Sequence, residues 1–304
     1  MKKQFICQTV ALTIFLSVIG NPLSAQKIAS SSRKSVKPII FAVLNDGLSL
    51  EPVAYIDKGK LEEMVTGSDE PAAILTFDKA YYKKGTAYTL IFGGAAAGTS
   101  SVKSSNPNAE CSKNVATAVT KTSKTPLKGN VMALATNAPS KSTAGFRRKP
   151  TAAEKIEADS IAKAEFAKQK LTPKVLRFHN LTAVDLDNDG TAEIVGSYWV
   201  DIDKTTRGLL FLIAGKGNSG KYTVGYEEYR RVDQGNIMGG GSIKDVDGGI
   251  YNELLLDFYD IDGDGTGEIF TYVPGYEGAG FNVYRRNGSK WTRTFEGSNY
   301  HCAF

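Results

Sequence analysis

The side chains best placed to do chemistry in this 304-residue chain are carboxylates gathered in two short stretches. Asp185-Leu186-Asp187-Asn188-Asp189-Gly190-Thr191-Ala192-Glu193 and Asp260-Ile261-Asp262-Gly263-Asp264-Gly265-Thr266-Gly267-Glu268 share one plan: Asp at positions 1, 3 and 5, Gly at 6, Glu at 9. Three carboxylates within five residues repel one another unless a cation sits among them. The Gly at position 6 supplies the sharp reversal that points all of them, with the acid at 9, at one centre. Oxygen-only ligands of this kind suit a hard cation such as Ca²⁺. An EF-hand is excluded, because it needs a bidentate Glu at position 12, where Gly196 and Thr271 stand here.

Other chemistry is thinly represented. The chain has two histidines, His179 and His301, and no Gly-x-Ser-x-Gly elbow, so both histidines are read as structural or solvent-facing. Gly215-Lys216-Gly217-Asn218-Ser219-Gly220-Lys221 mimics a phosphate-binding loop, but Tyr222 stands where Ser or Thr must hold Mg²⁺, and a hairpin turn is expected instead. Two acids suffice for glycoside hydrolysis, yet the best acids are committed to the two loops. Tyr198, Trp199, Tyr226, Tyr276, Trp291 and Tyr300 have the size to stack on sugars, and in paired strands they are read first as cross-strand packing.

The elements that must position the loops are strands. Leu181 to Val184 and Glu193 to Trp199 flank the first loop, and Leu254 to Tyr259 and Glu268 to Val273 the second, all rich in β-branched and aromatic residues. Leu209 to Ala214 then pairs with Tyr222 to Tyr229, and Gly280 to Arg285 with Trp291 to Phe295 across Asn287-Gly288, a strong hairpin signal. Each copy is therefore expected to be a four-stranded meander with its acidic loop between the first two strands. The connector 232–251 holds a partial motif, Asp245-Val246-Asp247-Gly248, which lacks the third Asp and is read as a turn.

Upstream, residues 1–25 read as an export signal: Lys2 and Lys3, an apolar run from Val10 to Ile19, then Pro22-Leu23-Ser24-Ala25 before Gln26. No later stretch of about eighteen apolar residues suggests a transmembrane segment, so a secreted or periplasmic protein is expected. Removing Cys7 with the signal leaves Cys111 and Cys302, which an oxidising compartment would join. Residues 26–94 are expected to form a small β unit, with strands at Ile39 to Leu44, Leu50 to Ile56, Ala73 to Tyr81 and Ala87 to Phe92. Residues 95–150, crowded with Ala, Ser, Thr, Asn and Lys and holding one acid, Glu110, are expected to be a mobile linker, with Val131 to Leu134 its one plausible strand. Residues 151–172 predict a helix, capped by Thr151 and Glu154 and stopped by Pro173; its apolar residues form no narrow face, so it reads as a packed spacer. The net charge of +5 arises from lysines scattered through the low-complexity stretch without interleaved aromatics, which argues for solvated charge and against nucleic-acid binding.

Both copies resemble the Asp-x-Asp-x-Asp-Gly-x-x-acid loop of the FG-GAP or VCBS repeat, the calcium-binding blade of integrin α-type β-propellers and of many exported bacterial proteins. The resemblance spans the chain from Val175 to Phe304, within the repeat domain expected over residues 173–304. It implies metal ligands at Asp185, Asp187, Asp189 and Glu193 and at Asp260, Asp262, Asp264 and Glu268, with the backbone carbonyls of Thr191 and Thr266 at position 7. The chain departs from the family in lacking Phe-Gly ahead of either loop, in carrying Gly196-Ser197-Tyr198 and Thr271-Tyr272-Val273 in place of Gly-Ala-Pro, and in ending each loop on Glu. The expectation is a mainly β protein of propeller-blade-type antiparallel repeats with a small N-terminal β unit and one helix. Ring closure is left open, since a propeller needs about four blades or more. About two Ca²⁺ ions, and a binding or scaffolding role toward a protein or carbohydrate partner, complete the expectation. The alternative is an exported hydrolase acting on glycans or esters, with the repeats accessory. Partner and oligomeric state are not readable.

Overall fold

Ile39–Leu44 is an unbroken apolar run, and the structure shows that both of its faces are buried. The computed structural model describes residues 36–123, 127–139, 145–217 and 219–302, and Val36–Phe304 cluster as one compact unit. The expected export signal, residues 1–25, lies outside the described residues. In chain order the elements are β1 (Ile39–Leu44), β2 (Ser49–Asp57), β3 (Lys60–Glu62), α1 (Pro71–Tyr81), β4 (Ala87–Phe92), β5 (Ala95–Ser105), β6 (Ala116–Thr122), β7 (Val131–Thr136), β8 (Arg147–Arg148) and α2 (Ala152–Lys168). There follow β9 (Arg177–Val184), β10 (Glu193–Asp201), β11 (Thr206–Lys216), β12 (Tyr222–Asp233), α3 (Ile243–Asp247), β13 (Leu254–Tyr259), β14 (Glu268–Pro274), β15 (Gly278–Asn287) and β16 (Lys290–Tyr300).

The first sheet closes on itself. Its order is β1-β7-β4-β5-β6-β2, and β2 pairs back to β1, giving a six-stranded antiparallel barrel with β3 appended. Alternation along β1 then decides where each side chain goes. Ile39, Phe41 and Val43 join the barrel interior with Tyr88, Leu90, Val102 and Ala118, and Phe77 and Tyr81 of α1 pack into the same cluster. Ile40, Ala42 and Leu44 face the other way, into a second cluster.

The two repeats form two further antiparallel sheets, β12-β11-β10-β9-β8 and β13-β14-β15-β16. Each contains the expected four-stranded meander. They share one core, in which Val195, Phe211 and Ile213 of the first meet Phe258, Ile269 and Tyr284 of the second. On its far side the first sheet is covered by α2 through Ala158, Ala162 and Phe166. The far side of the second sheet packs Leu256, Phe270, Phe281 and Val283 on the outward residues of β1. The layers therefore run α2, first sheet, second sheet, barrel, and no ring of blades forms among the described residues.

Several expectations are corrected. Residues 95–150 are not a linker: β5, β6 and β7 are half of the barrel, and β8 edges the first repeat sheet. Their small side chains belong to the packing, since Ala116, Ala118, Ala133 and Ala135 leave room inside for the rings of Phe41, Phe77 and Tyr88. The β unit accordingly runs past residue 94 to Thr136. Pro71–Tyr81 is a helix, not a strand: Pro stands at its start, and Ile74, Phe77 and Tyr81 fall on one helical face and are buried. The partial motif at Asp245 is the short helix α3, capped by Ser242 and Asp245, with Asp247 paired to the Arg207 guanidinium at 2.5 Å. Among the described residues there are thus three α-helices where one was expected, and none of them is long and apolar enough to cross a membrane. Cys111 and Cys302 are joined in a disulfide.

Candidate metal centre

Both acidic loops are built on the same hairpin geometry. Val184 pairs with Glu193 across the first loop and Tyr259 with Glu268 across the second, so position 9 closes the hairpin opposite the residue before position 1. Positions 4 and 6 take left-handed backbone in both: Asn188 at φ 57° and Gly190 at 81°, Gly263 at 82° and Gly265 at 92°. That is why Asn or Gly stands at position 4 and Gly at position 6.

The turns hold the carboxylates inward. In the first loop the Asp185 carboxylate accepts from the N–H groups of Asp189 (3.2 Å) and Gly190 (3.1 Å), and Asp189 accepts from Thr191 N–H (2.6 Å). In the second, Asp260 accepts from Gly263 (2.6 Å) and Gly265 (3.0 Å), and Asp264 from Thr266 (2.8 Å). Asp185, Asp187 and Asp189 thereby offer oxygens within 4.8 Å of one another, and so do Asp260, Asp262 and Asp264. Asp185 and Asp260 are buried and the position-5 acids exposed, so each triplet opens toward solvent on one side.

Glu193 and Glu268 stand beside these triplets, 5% and 2% exposed. Burial, with the neighbouring Asp187 and Asp189 charges, pushes the Glu193 carboxyl up to about 7 against the pull of Arg286. Burial lifts Glu268 to about 7 as well, opposed by the Ile261 N–H and by Arg285. In both loops an arginine from β15 bridges positions 3 and 9. Arg285 reaches Asp262 at 2.7 Å and Glu268 at 2.8 Å, and Arg286 reaches Asp187 at 2.6 Å and Glu193 at 3.5 Å. Consecutive residues of a strand point to opposite faces, so one Arg pair serves two loops.

Sequence reasoning missed Arg285 and Arg286. Their partners lie 17 and 99 residues away, and only their place just before the Asn287-Gly288 turn hinted at a role. The two loops also touch directly: Gly267 N–H, at position 8 of the second, donates to the Leu186 carbonyl of the first at 2.7 Å. Between them lies a cleft of about 390 Å³ lined by Asp187, Asp264, Arg285 and Arg286.

The residues present fit a cation. Despite Arg286, one oxygen of Asp187 and one of Glu193 are buried with no hydrogen-bond partner. A buried carboxylate oxygen in that state costs free energy that a bound cation would recover. Of the ten residues expected as ligands, the six Asp come together in two triplets, Glu193 and Glu268 share an arginine with the position-3 acids, and Thr191 and Thr266 brace the position-5 acids through their N–H groups. No protein-family model, curated protein or solved structure matches the chain.

Proposed function

We propose that this is an exported binding or scaffolding protein whose paired repeat sheets are stabilised by two Ca²⁺ ions, one in each acidic loop, in the manner of FG-GAP or VCBS blades. The observation that carries the reading is the orphaned pair of oxygens on Asp187 and Glu193 inside an acidic turn that occurs twice in the same backbone form. Ca²⁺ accepts six to eight oxygen ligands in flexible geometry, whereas Mg²⁺ demands a near-ideal octahedron. In each loop Asp185 or Asp260, with the acids at positions 3, 5 and 9, would hold the ion, which supplies positive charge at the junction of the two sheets. The Cys111–Cys302 bridge supports export, since disulfides persist in oxidising compartments.

Sites of this class in extracellular modules bind at about 10⁻⁴ to 10⁻³ M. At about 1 mM Ca²⁺ and a dissociation constant of about 0.1 mM, each site adds roughly 1.4 kcal/mol of stability. The melting temperature should rise in calcium over chelator, and rise much less in magnesium. Equal melting in calcium and chelator would refute the reading.

A further inference from the structure

A second cleft, of about 440 Å³, opens between the barrel and the loops leading into β13 and out of β14. At its wall lies Glu51, a carboxylate on a barrel strand that is only 2% exposed. One of its oxygens, Oε1, is saturated: Asn299 Nδ2 donates to it at 2.8 Å, and His301 Nε2 lies 2.6 Å away. Tyr272, Ser49, Ser112, Asn130 and His301 line the same cleft, Asn130 exposed and the others half-buried, so their polar groups are open to a ligand from the solvent side.

The contrast with Asn299 is informative. That side chain is held by structural bonds, its oxygen accepting from Gly67 N–H at 3.0 Å and from Asn114 Nδ2 at 2.8 Å. The segment bearing His301 is pinned with equal care: His301 N–H donates to the Glu277 carbonyl at 2.7 Å, Ser112 N–H to the His301 carbonyl at 3.2 Å, and Cys302 is bonded to Cys111. The fold thus fixes the backbone around the cleft and lines it with accessible polar side chains.

The chemistry of that set selects a ligand class. No Lys or Arg lines the cleft, so an anion finds no counter-charge there, and its one acid already accepts from Asn299 and lies 2.6 Å from His301. Glu51 needs a donor and the Asn130 amide offers both donor and acceptor, a mixture that hydroxyl groups satisfy because each both donates and accepts. Tyr272, Pro274 and Ile250 supply apolar surface for C–H faces. The volume lies in the range of small-molecule sites.

We propose that this cleft binds a neutral, hydroxyl-rich ligand of one or two sugar rings, with Glu51, His301, Asn130 and Ser49 making the polar contacts. The proposal does not rest on the cation loops. It is tested on the full chain with cellobiose, maltose, lactose and diacetylchitobiose, by calorimetry and by the imidazole NMR signals of His301, with His179 as the internal control. At least one disaccharide should bind in the millimolar range or tighter, shift the His301 signals alone, and slow the carbethoxylation of His301. Asn130→Ala and Ser49→Ala should weaken binding several-fold at unchanged melting temperature. Should either variant fold poorly, the His301 shift and its protection in the unaltered chain decide. The proposal is overturned if none of the four sugars moves the His301 signals or slows its modification, or if natively melting variants bind as tightly as the parent.

Discussion

Asp187 and Glu193 are each shared between two positive partners, one present in the structure and one inferred. Arg286 lies 2.6 Å from Asp187, so a divalent ion entering the first loop meets a guanidinium already in its place. Two cations on one carboxylate repel. Arg286→Gln should therefore bind calcium several-fold more tightly at the first loop, and should melt lower than the parent in chelator, where Asp187 and Glu193 lose their counter-charge. Calorimetry and melting curves on the variant check both, and unchanged affinity would show that the ion and the guanidinium do not compete. At this scale the acids were legible, because the Asp at positions 1, 3 and 5, the Gly at 6 and the Glu at 9 are set by local backbone and charge. The arginines were not, because their partners are brought up by tertiary pairing. The Glu51–His301 contact spans 250 residues and was equally invisible.

Among the elements, α2 shows how a cap can carry pH dependence. Thr151 and Glu154 form the capping box, and Arg148 grips the Glu154 carboxylate at 2.6 and 2.8 Å. The hydrogen bonds from Arg148, with those of Thr151, hold that carboxyl down at about 2 against an ordinary 4.5. A depressed carboxyl stabilises the fold above its unfolded value, and that stability is lost as pH falls from about 4.5 toward 2. Glu154→Gln should cost on the order of 1 kcal/mol at pH 7, because Arg148 is 39% exposed and screened. Urea unfolding at pH 7 and near pH 2 should show the gap between parent and variant closing; a constant gap would contradict the assignment. The helix itself was legible from that capping pattern. α1 was not, because its three large apolar residues read equally well as a strand until their spacing is laid on a helical face. The barrel strands β5 and β6 were hidden by composition: Ala, Ser and Thr resemble linker sequence, and their alternation has meaning only beside the Phe and Tyr rings that fill the space they leave.

For the whole molecule, the layers share cores, so its parts should not melt separately. Ile40, Ala42 and Leu44 of the barrel sit in one cluster with Phe270 and Phe281 of the second repeat, and the Asp257 carboxylate accepts from Gly93 N–H at 2.8 Å. Scanning calorimetry should show one transition, where separate barrel and repeat transitions would contradict the shared core. Reducing Cys111–Cys302, which are 191 residues apart, should lower the transition temperature, with a loss of up to about 5 kcal/mol of stability in the chain-entropy view. Calcium titration of the metal-stripped chain by calorimetry decides whether the two acidic turns are cation sites. About two equivalents are expected for the parent, one each for Asp187→Ala and Asp262→Ala, and none for the double variant. A parent that binds no calcium, or single variants that still bind as the parent does, would contradict the cation-site reading.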